Sequence, residues 1–424
     1  MEILLDDYKE YVFNGLWTKA INMAICDLKI DDTLVFSKNK VYESGTIFLK
    51  SNIKLKFEHN AVLKASSDIN LFNISNNNIN NLEVNTFINC DYDGNPKLYF
   101  IYGKNIENVE IIGKGIIDGN EEIFYGEIEE SYIEGKFYPR MPLIYLENSK
   151  NLEFNNITLR NSAFWTLHLV GCEYVIVDGV KILNNRRMLN ADGIDPDHSK
   201  NIVIKNCYIE SADDCIVLKG TGANTKYGDV YNIHVSNCTL KSSSAAIKIG
   251  TETFAKFYDI HFDNIKIKDS NRGISFQLRD DGEIKDITFN NIDIESHMFD
   301  PKPFWGKGEA ISISAVRRTR ESKIGTISNI SFNNINAKSE KGIFLYSNSD
   351  NIFDLSFNNI NINLVDVTKY DKRIYDLRPN DELKTFTDDN AIIYARGIKN
   401  INFKNFNKNK NDLVNDSGKI TYLD

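Results

Sequence analysis

The sequence predicts an all-β fold, a parallel β-helix (solenoid) with an N-terminal capping helix. Three observations carry that prediction. A phrase of one polar residue followed by apolar-x-apolar recurs along the chain, from Asn108-Val109-Glu110-Ile111 through Asn201-Ile202-Val203-Ile204 to Asn400-Ile401-Asn402-Phe403. Alternation of that kind belongs to half-buried strands, and repetition at a roughly fixed period belongs to stacked coils. A second phrase aligns on Leu167, Ile194, Ile216, Ile247, Ile274, Ile311, Ile343 and Ile392. Its first steps are about one bare coil each, and its later steps contain loops. Finally, helical periodicity of any strength occurs once, near the N-terminus.

Taken in order, residues from about 8 to 30 place Trp17, Ala20, Ile21, Ala24, Ile25 and Leu28 at helical spacing. One amphipathic helix there would plug the open end of the solenoid, where uncovered strand edges are a liability. From Thr33 the pattern changes to short alternating strands, such as Ile53-Lys54-Leu55 and Ala61-Val62-Leu63. Asn-Asn and Asn-Cys pairs follow the repeating phrase. They fit tight corners, because Asn tolerates left-handed backbone and its amides can stack as a ladder. Residues two beyond the anchors (Leu169, Pro196, Leu218, Ile249, Phe276, Ile313, Leu345 and Tyr394) are nearly all apolar and give the inward set. Two residues before the anchors runs the row Trp165, Asp192, Asp214, Ala245, Arg272, Glu309 and Lys341. An aromatic, two acids, a base and another acid at one point on successive coils mark that row as the candidate groove. Gly119 to Pro142 and His297 to Gly308, both rich in aromatics, are the candidate walls. The repeat makes residues 1–424 a single domain, with a loosely attached polar tail at 407–424.

A formal charge of −9 argues against nucleic acid as a partner. The six cysteines are widely spaced and include no CxxC pair, so reduced, mostly buried thiols are expected. Cys215 falls in a row of small residues and reads as filler. No apolar run is long enough to span a membrane. No signal peptide is visible, so a cytoplasmic protein is expected, or a secreted or periplasmic one if a leader has been removed. Oligomeric state is not legible.

The chemistry gathers between Asn190 and Lys219. Asp192 and the adjacent pair Asp213 and Asp214 stand in front of two similar strands, 22 residues apart from Asp192 to Asp214. That is about one coil, and neighbouring coils lie ~4.8 Å apart. Three acids at one spot push their pKa values apart, so that one can stay protonated while another stays ionised. His168 within Trp-Thr-Leu-His is expected to be structural, and His198, though easily mistaken for a catalytic residue, is not expected to be one.

The order of an N-terminal helix, Leu49-Lys50-Ser51-Asn52-Ile53-Lys54-Leu55, Gly113-Lys114-Gly115-Ile116-Ile117-Asp118-Gly119, Trp165-Thr166-Leu167-His168, Asn190-Ala191-Asp192-Gly193-Ile194-Asp195 and Asp213-Asp214-Cys215-Ile216 resembles the glycoside hydrolase family 28 polygalacturonases, which are right-handed parallel β-helix enzymes. The resemblance covers roughly residues 15 to 360. It implies inverting hydrolysis of a glycosidic bond in pectin, with no cofactor and no metal. By the same resemblance Asp213 is the general acid, and Asp192 and Asp214 together hold and deprotonate the attacking water. Two family motifs are absent. Gly-His-Gly aligns on Ser244-Ala245-Ala246, and the Arg-x-Lys pair that grips a carboxylate aligns on Ser275 and Gln277. The expected substrate is therefore a uronate- or rhamnose-containing polysaccharide or its oligosaccharides. Asn190, Lys219, Lys248, Arg272 and Arg279 are expected to bind it. So are Trp305, Glu309 and Arg317 around Trp305-Gly306-Lys307-Gly308-Glu309, with Trp305 as a stacking platform. The insertions suggest a groove closed at one end and attack at chain ends. Two alternatives remain open at this stage: a polysaccharide lyase or uronate epimerase using acids around calcium, and a non-catalytic carbohydrate-binding solenoid.

Overall fold

The computed structural model describes residues 1–72 and 96–409, together with the backbone of 413–415 and 420–423. Cys90 lies outside the described residues. The chain divides into two compact units, Met1–Ala212 and Asp213–Asp424. Each is an all-β stack of parallel coils.

In the first unit the helix α1 covers Thr18–Asp27 and buries Ala20, Ile21, Ala24 and Ile25. It docks on the first coils, where Asn22 Nδ2 donates to Thr46 O (3.0 Å) and Asn22 Oδ1 accepts from Phe48 N (2.9 Å). The helix is shorter than the apolar spacing predicted. Asn14 and Gly15 both take positive φ (49° and 79°) and turn the chain back, so that Phe13 and Leu16 pair antiparallel. An Asn-Gly dipeptide favours such a turn, and it separates α1 from a 3-10 segment at Leu5–Tyr11. Beyond it the coils stack in register. Ile144 pairs with Leu167, and Leu167 pairs with Ile194, so Leu146, Leu169 and Pro196 share one inward row.

The second unit has longer strands, among them Lys256–Ser270, Glu283–Ser296, Thr326–Ser339 and Ile352–Leu364. Its core contains a column of phenylalanines: Phe262, Phe289, Phe332, Phe357 and Phe403 stack with ring centroids 4.7–5.0 Å apart. These are the second apolar positions of the recurring phrase. The corner residues behave as their chemistry requires. Asn291, Asn334, Asn359 and Asn405 all have positive φ. Their amides form a ladder, each donating to the residue one coil back at 2.8–3.0 Å.

One register differs from the sequence alignment. Ile343 pairs with Ile393, not Ile392, and Phe344 pairs with Tyr394. A slip of one residue exchanges the two faces of a strand. Tyr394 therefore points outward, where it joins Phe344, Tyr346, Tyr375, Val316 and Leu377 in an aromatic cluster. The segment expected as a loose tail supplies two further strands: Leu413–Asn415 pairs with Ile393–Arg396, and Ile420–Leu423 pairs with Ile398–Lys408. The rest of 410–424 lies outside the described residues. Among the described cysteines, Cys172, Cys207, Cys215 and Cys238 are buried and Cys26 is exposed, all as free thiols. No helix among the described residues is long and apolar enough to cross a membrane.

Candidate active site

In the first unit the loop ahead of strand Ile194–Asp197 carries Asn190 and Asp192, and two sets of bonds fix it. The main-chain oxygen of Asp192 accepts from Thr166 N (3.1 Å), Thr166 Oγ1 (2.6 Å) and Asn184 Nδ2 (3.3 Å). Asn190 has φ 59°, and its Oδ1 accepts from Arg140 Nη2 (3.1 Å). Arg140 also donates to the carbonyls of Ala163 (2.7 Å), Phe137 (3.1 Å) and Leu189. It comes from the insertion expected as a wall, so that wall reaches the acid-bearing loop through one buried guanidinium. Sequence reasoning missed Arg140. Its signal was a lone base in an aromatic stretch, Phe137-Tyr138-Pro139-Arg140.

His168 is fully enclosed, as expected of a structural residue. Its Nε2 lies 3.5 Å from Asp197 Oδ2, and Tyr145 and Trp165 pack edge-on against the ring. His198, also buried, lies with Nε2 3.9 Å from the other oxygen of Asp197. Trp165 stacks on Phe164 with centroids 5.1 Å apart.

In the second unit the adjacent acids have different surroundings. Asp214 is 1% exposed and is surrounded by donors: Lys248 Nζ (2.7 Å), Ser244 Oγ (3.1 Å) and Ala245 N (3.1 Å). Asp213 is partly exposed, and its main-chain oxygen accepts from Ser242 Oγ (2.6 Å). Burial of its carboxyl, and then the charge of Asp214, raise the Asp213 pKa, with Lys248 and Lys219 opposing. Burial works against the Lys248 ammonium, but the charges of Asp214 and Asp213 more than offset it and raise its pKa. Lys219 is buried within reach of the same charges. Cys215 is enclosed and donates to Lys241 O, in keeping with a filler role.

The row beyond Asp214 continues as Ala245, Arg272, Glu309 and Lys341, with Ala245 paired to Arg272 and Glu309 to Lys341. An insertion between Leu364 and Ala391 covers it. The insertion contains an antiparallel hairpin of Ile374–Asp376 and Thr385–Thr387. Arg272 Nε donates to Glu309 Oε2 (3.1 Å), and its Nη2 donates to Trp305 O (3.1 Å) and Asp376 O (3.3 Å). Lys341 Nζ donates to Ile374 O (2.6 Å) and lies 3.2 Å from the centre of the Tyr375 ring. Burial drives its pKa down to about 7, although Glu309 resists. Glu309 is buried too, yet Arg272 and Lys341 hold its carboxyl below the usual range. Lys307 and Arg378 both pair with Asp376, at 2.9 and 2.5 Å. The sequence showed a long step between Ile343 and the next coil, but not that it folds back over this row.

One expected ligand is corrected. Arg279 is fully buried, and its donors are taken by the carbonyls of Leu278, Ser314, Leu377, Arg378 and Pro379 and by Ser314 Oγ, so it anchors the insertion and does not face a substrate. Arg317 lies past the end of strand Glu309–Ala315, on the exposed rim of a cavity of about 210 Å³ shared with Asn348 and Glu382. Its neighbour Arg318 pairs with Asp280 instead (2.9 Å). Trp305 is half-buried, with the Arg378 guanidinium over its ring at 5.8 Å, which leaves at most one face for a sugar.

The chain is 30% identical over 218 residues to a probable polygalacturonase of Vitis vinifera, covering 49% of this chain and 42% of that protein. It is 27% identical over 222 residues to a probable exopolygalacturonase X of Aspergillus fumigatus, covering 51% and 46%. It thus spans less than half the length of these curated relatives. An exopolygalacturonase of Thermotoga maritima has the same fold, with a TM-score of 0.65 at 18% identity over 85% of this chain and 91% of that one. The profile of glycosyl hydrolases family 28 matches residues 38–301, more than half of the chain, including Asp192, Asp213, Asp214 and Lys248: the chain belongs to that family.

Proposed function

We propose that the protein hydrolyses glycosidic bonds in a pectin-type polysaccharide, uronate- or rhamnose-containing, or in its oligosaccharides, with inversion and from chain ends. The observation that carries the proposal is the unequal treatment of two adjacent carboxyls. Asp213 is reachable from solvent and biased toward the protonated form, which suits a general acid for the departing oxygen. Asp214 is enclosed and bonded to an ammonium, a hydroxyl and an amide, which suits a carboxylate that orients and deprotonates water. In this scheme Asp192 shares the water with Asp214, a role that rests on the coil-length spacing of the sequence and on the family motif. Lys248 stands where it can fix Asp214 in the absence of the family histidine. Asn190 and Lys219 are assigned to the hydroxyls of the substrate.

Attack at chain ends is supported by the covered row. From Arg272 onward the row that begins at Asp214 runs beneath the insertion, so only about two coil spacings, ~10 Å, separate Asp214 from the cover. That leaves room on this side for one or two sugar rings and not for a continuing chain.

Defined pectic oligosaccharides supply the test, with NMR of the newly formed anomer. Release of terminal sugars as the inverted anomer, unaffected by a chelator, is expected. Random internal cleavage would overturn attack at chain ends. An unsaturated product absorbing in the near ultraviolet would overturn hydrolysis altogether.

A further inference from the structure

We infer that the row beside Asp213 and Asp214, covered by the insertion from Arg272 onward, takes an uncharged terminal sugar and rejects a free uronate. The inference rests on the hydrolase reading and names the chemical class of the released unit. Its basis is the pairing of the buried and half-buried cations along this row, among the described residues. Lys248 Nζ is 2.7 Å from Asp214 Oδ2. Arg272 is spent on Glu309 and two carbonyls. Lys307 and Arg378 share Asp376. Arg318 belongs to Asp280, and Lys341 donates to Ile374 O and lies against the Tyr375 ring. Lys219 is likewise engaged.

The two positions that could have supplied an unshared cation hold neutral residues. Ser275 is fully buried and its hydroxyl has no partner among the described residues, while Gln277 Nε2 donates to Arg378 O (3.2 Å). A substrate carboxylate entering here would approach Asp214, with the enclosed Glu309 and Asp376 behind the row and each of their countercharges already committed. It would have to stay unpaired in a poorly solvated place or break an existing ion pair, and either is costly. An uncharged sugar meets no such penalty. It would find the half-buried Trp305 ring for its apolar face, with Asp213 and Ser244 both half-buried at the acid-bearing end of the row. Discrimination thus comes from repulsion built into the site as much as from attraction.

The experiment compares three oligosaccharides that differ only in the terminal unit released: galacturonate as the free acid, the same sugar as its methyl ester, and a neutral hexose or deoxyhexose. The ester pair keeps the ring and its hydroxyls and differs by one charge and one methyl group. Ester and neutral termini are expected to be released with kcat/KM roughly 100-fold above the free acid at low salt, the scale of leaving one charge unpaired. Gln277→Lys, which adds a cation, should narrow that ratio at least tenfold, with circular dichroism showing that it folds. If it does not fold, the ester-to-acid ratio of the unaltered enzyme decides alone. Equal rates, or preference for the free acid, would overturn the inference and leave the hydrolase reading intact. Absence of release from all three, and from longer pectic oligomers, would overturn the hydrolase reading itself.

Discussion

Replacing Lys248 by Met removes one half of a pair whose side chains are 11% and 1% exposed and whose charged atoms are 2.7 Å apart. Stranding one member of such a pair costs ~3–5 kcal/mol, because the remaining charge keeps its desolvation and loses its partner. Asp214 retains its bonds from Ser244 and Ala245, so the lower end, about 3 kcal/mol, is expected. The cost exists only while Asp214 is ionised. Protonating the stranded acid removes that cost, so the acid limb of kcat/KM should move upward in the variant. Stability should follow the same sign. The gap between variant and unaltered protein closes in acid, opens as pH rises through the limb, and stays open to the alkaline range. There Lys248, whose pKa is raised, would itself lose its proton and its contribution. Denaturant unfolding and pH–rate profiles test both halves. A stability gap that does not vary with pH, or an acid limb that stays in place, would refute the assignment of Lys248 as the group holding Asp214.

Asp213→Asn should lower kcat by about 10²–10⁴-fold with the fold intact. Because folding raises the Asp213 pKa, the folded state binds its proton more tightly, and stability falls as pH rises from the ordinary Asp range through the raised value. The variant should therefore be at least as stable as the unaltered protein at pH 8, without that advantage at pH 3, as thermal unfolding will show. Arg140→Met strands the carbonyls of Ala163, Phe137 and Leu189 and releases Asn190. A loss of ~2–4 kcal/mol is expected, with a fall in kcat larger than any change in KM, measured by unfolding and steady-state kinetics. Tyr375→Ala removes a buried ring that packs on Phe344, Phe386 and Tyr394, and should cost ~3–5 kcal/mol locally. Product profiles should then show internal cleavage; an unchanged profile with the insertion demonstrably loosened would argue against its role in chain-end attack.

Much of the scaffold was legible because a solenoid repeats its physics. Each coil needs apolar residues at alternate positions and a corner residue tolerant of positive φ. The sequence displays both, in Phe262, Phe289 and Phe332 and in Asn291, Asn334 and Asn359. The Asp213–Asp214 motif was legible for a related reason, since two acids at the head of an apolar strand break the repeat at one coil. The register slip at Ile393 shows the limit. After a long insertion the phrase Ala391-Ile392-Ile393-Tyr394 offers two adjacent isoleucines, and periodicity alone cannot choose between them.

What the sequence hid is where the specificity is expected to reside. A charged residue in a one-dimensional pattern counts as available; only packing shows which charges are already committed. Arg279 looked like a ligand because it stands near the acids in the repeat frame, and Glu309 because it ends the motif Trp305-Gly306-Lys307-Gly308-Glu309. One is saturated by carbonyls supplied largely by residues 377–379, and the other is fixed by Arg272 and the Lys307 amide. Those partners are as much as 100 positions away in the chain, beyond the reach of any repeat unit. A rigid scaffold can therefore keep its catalytic acids in recognisable motifs while one irregular insertion changes which of the surrounding charges a substrate can meet.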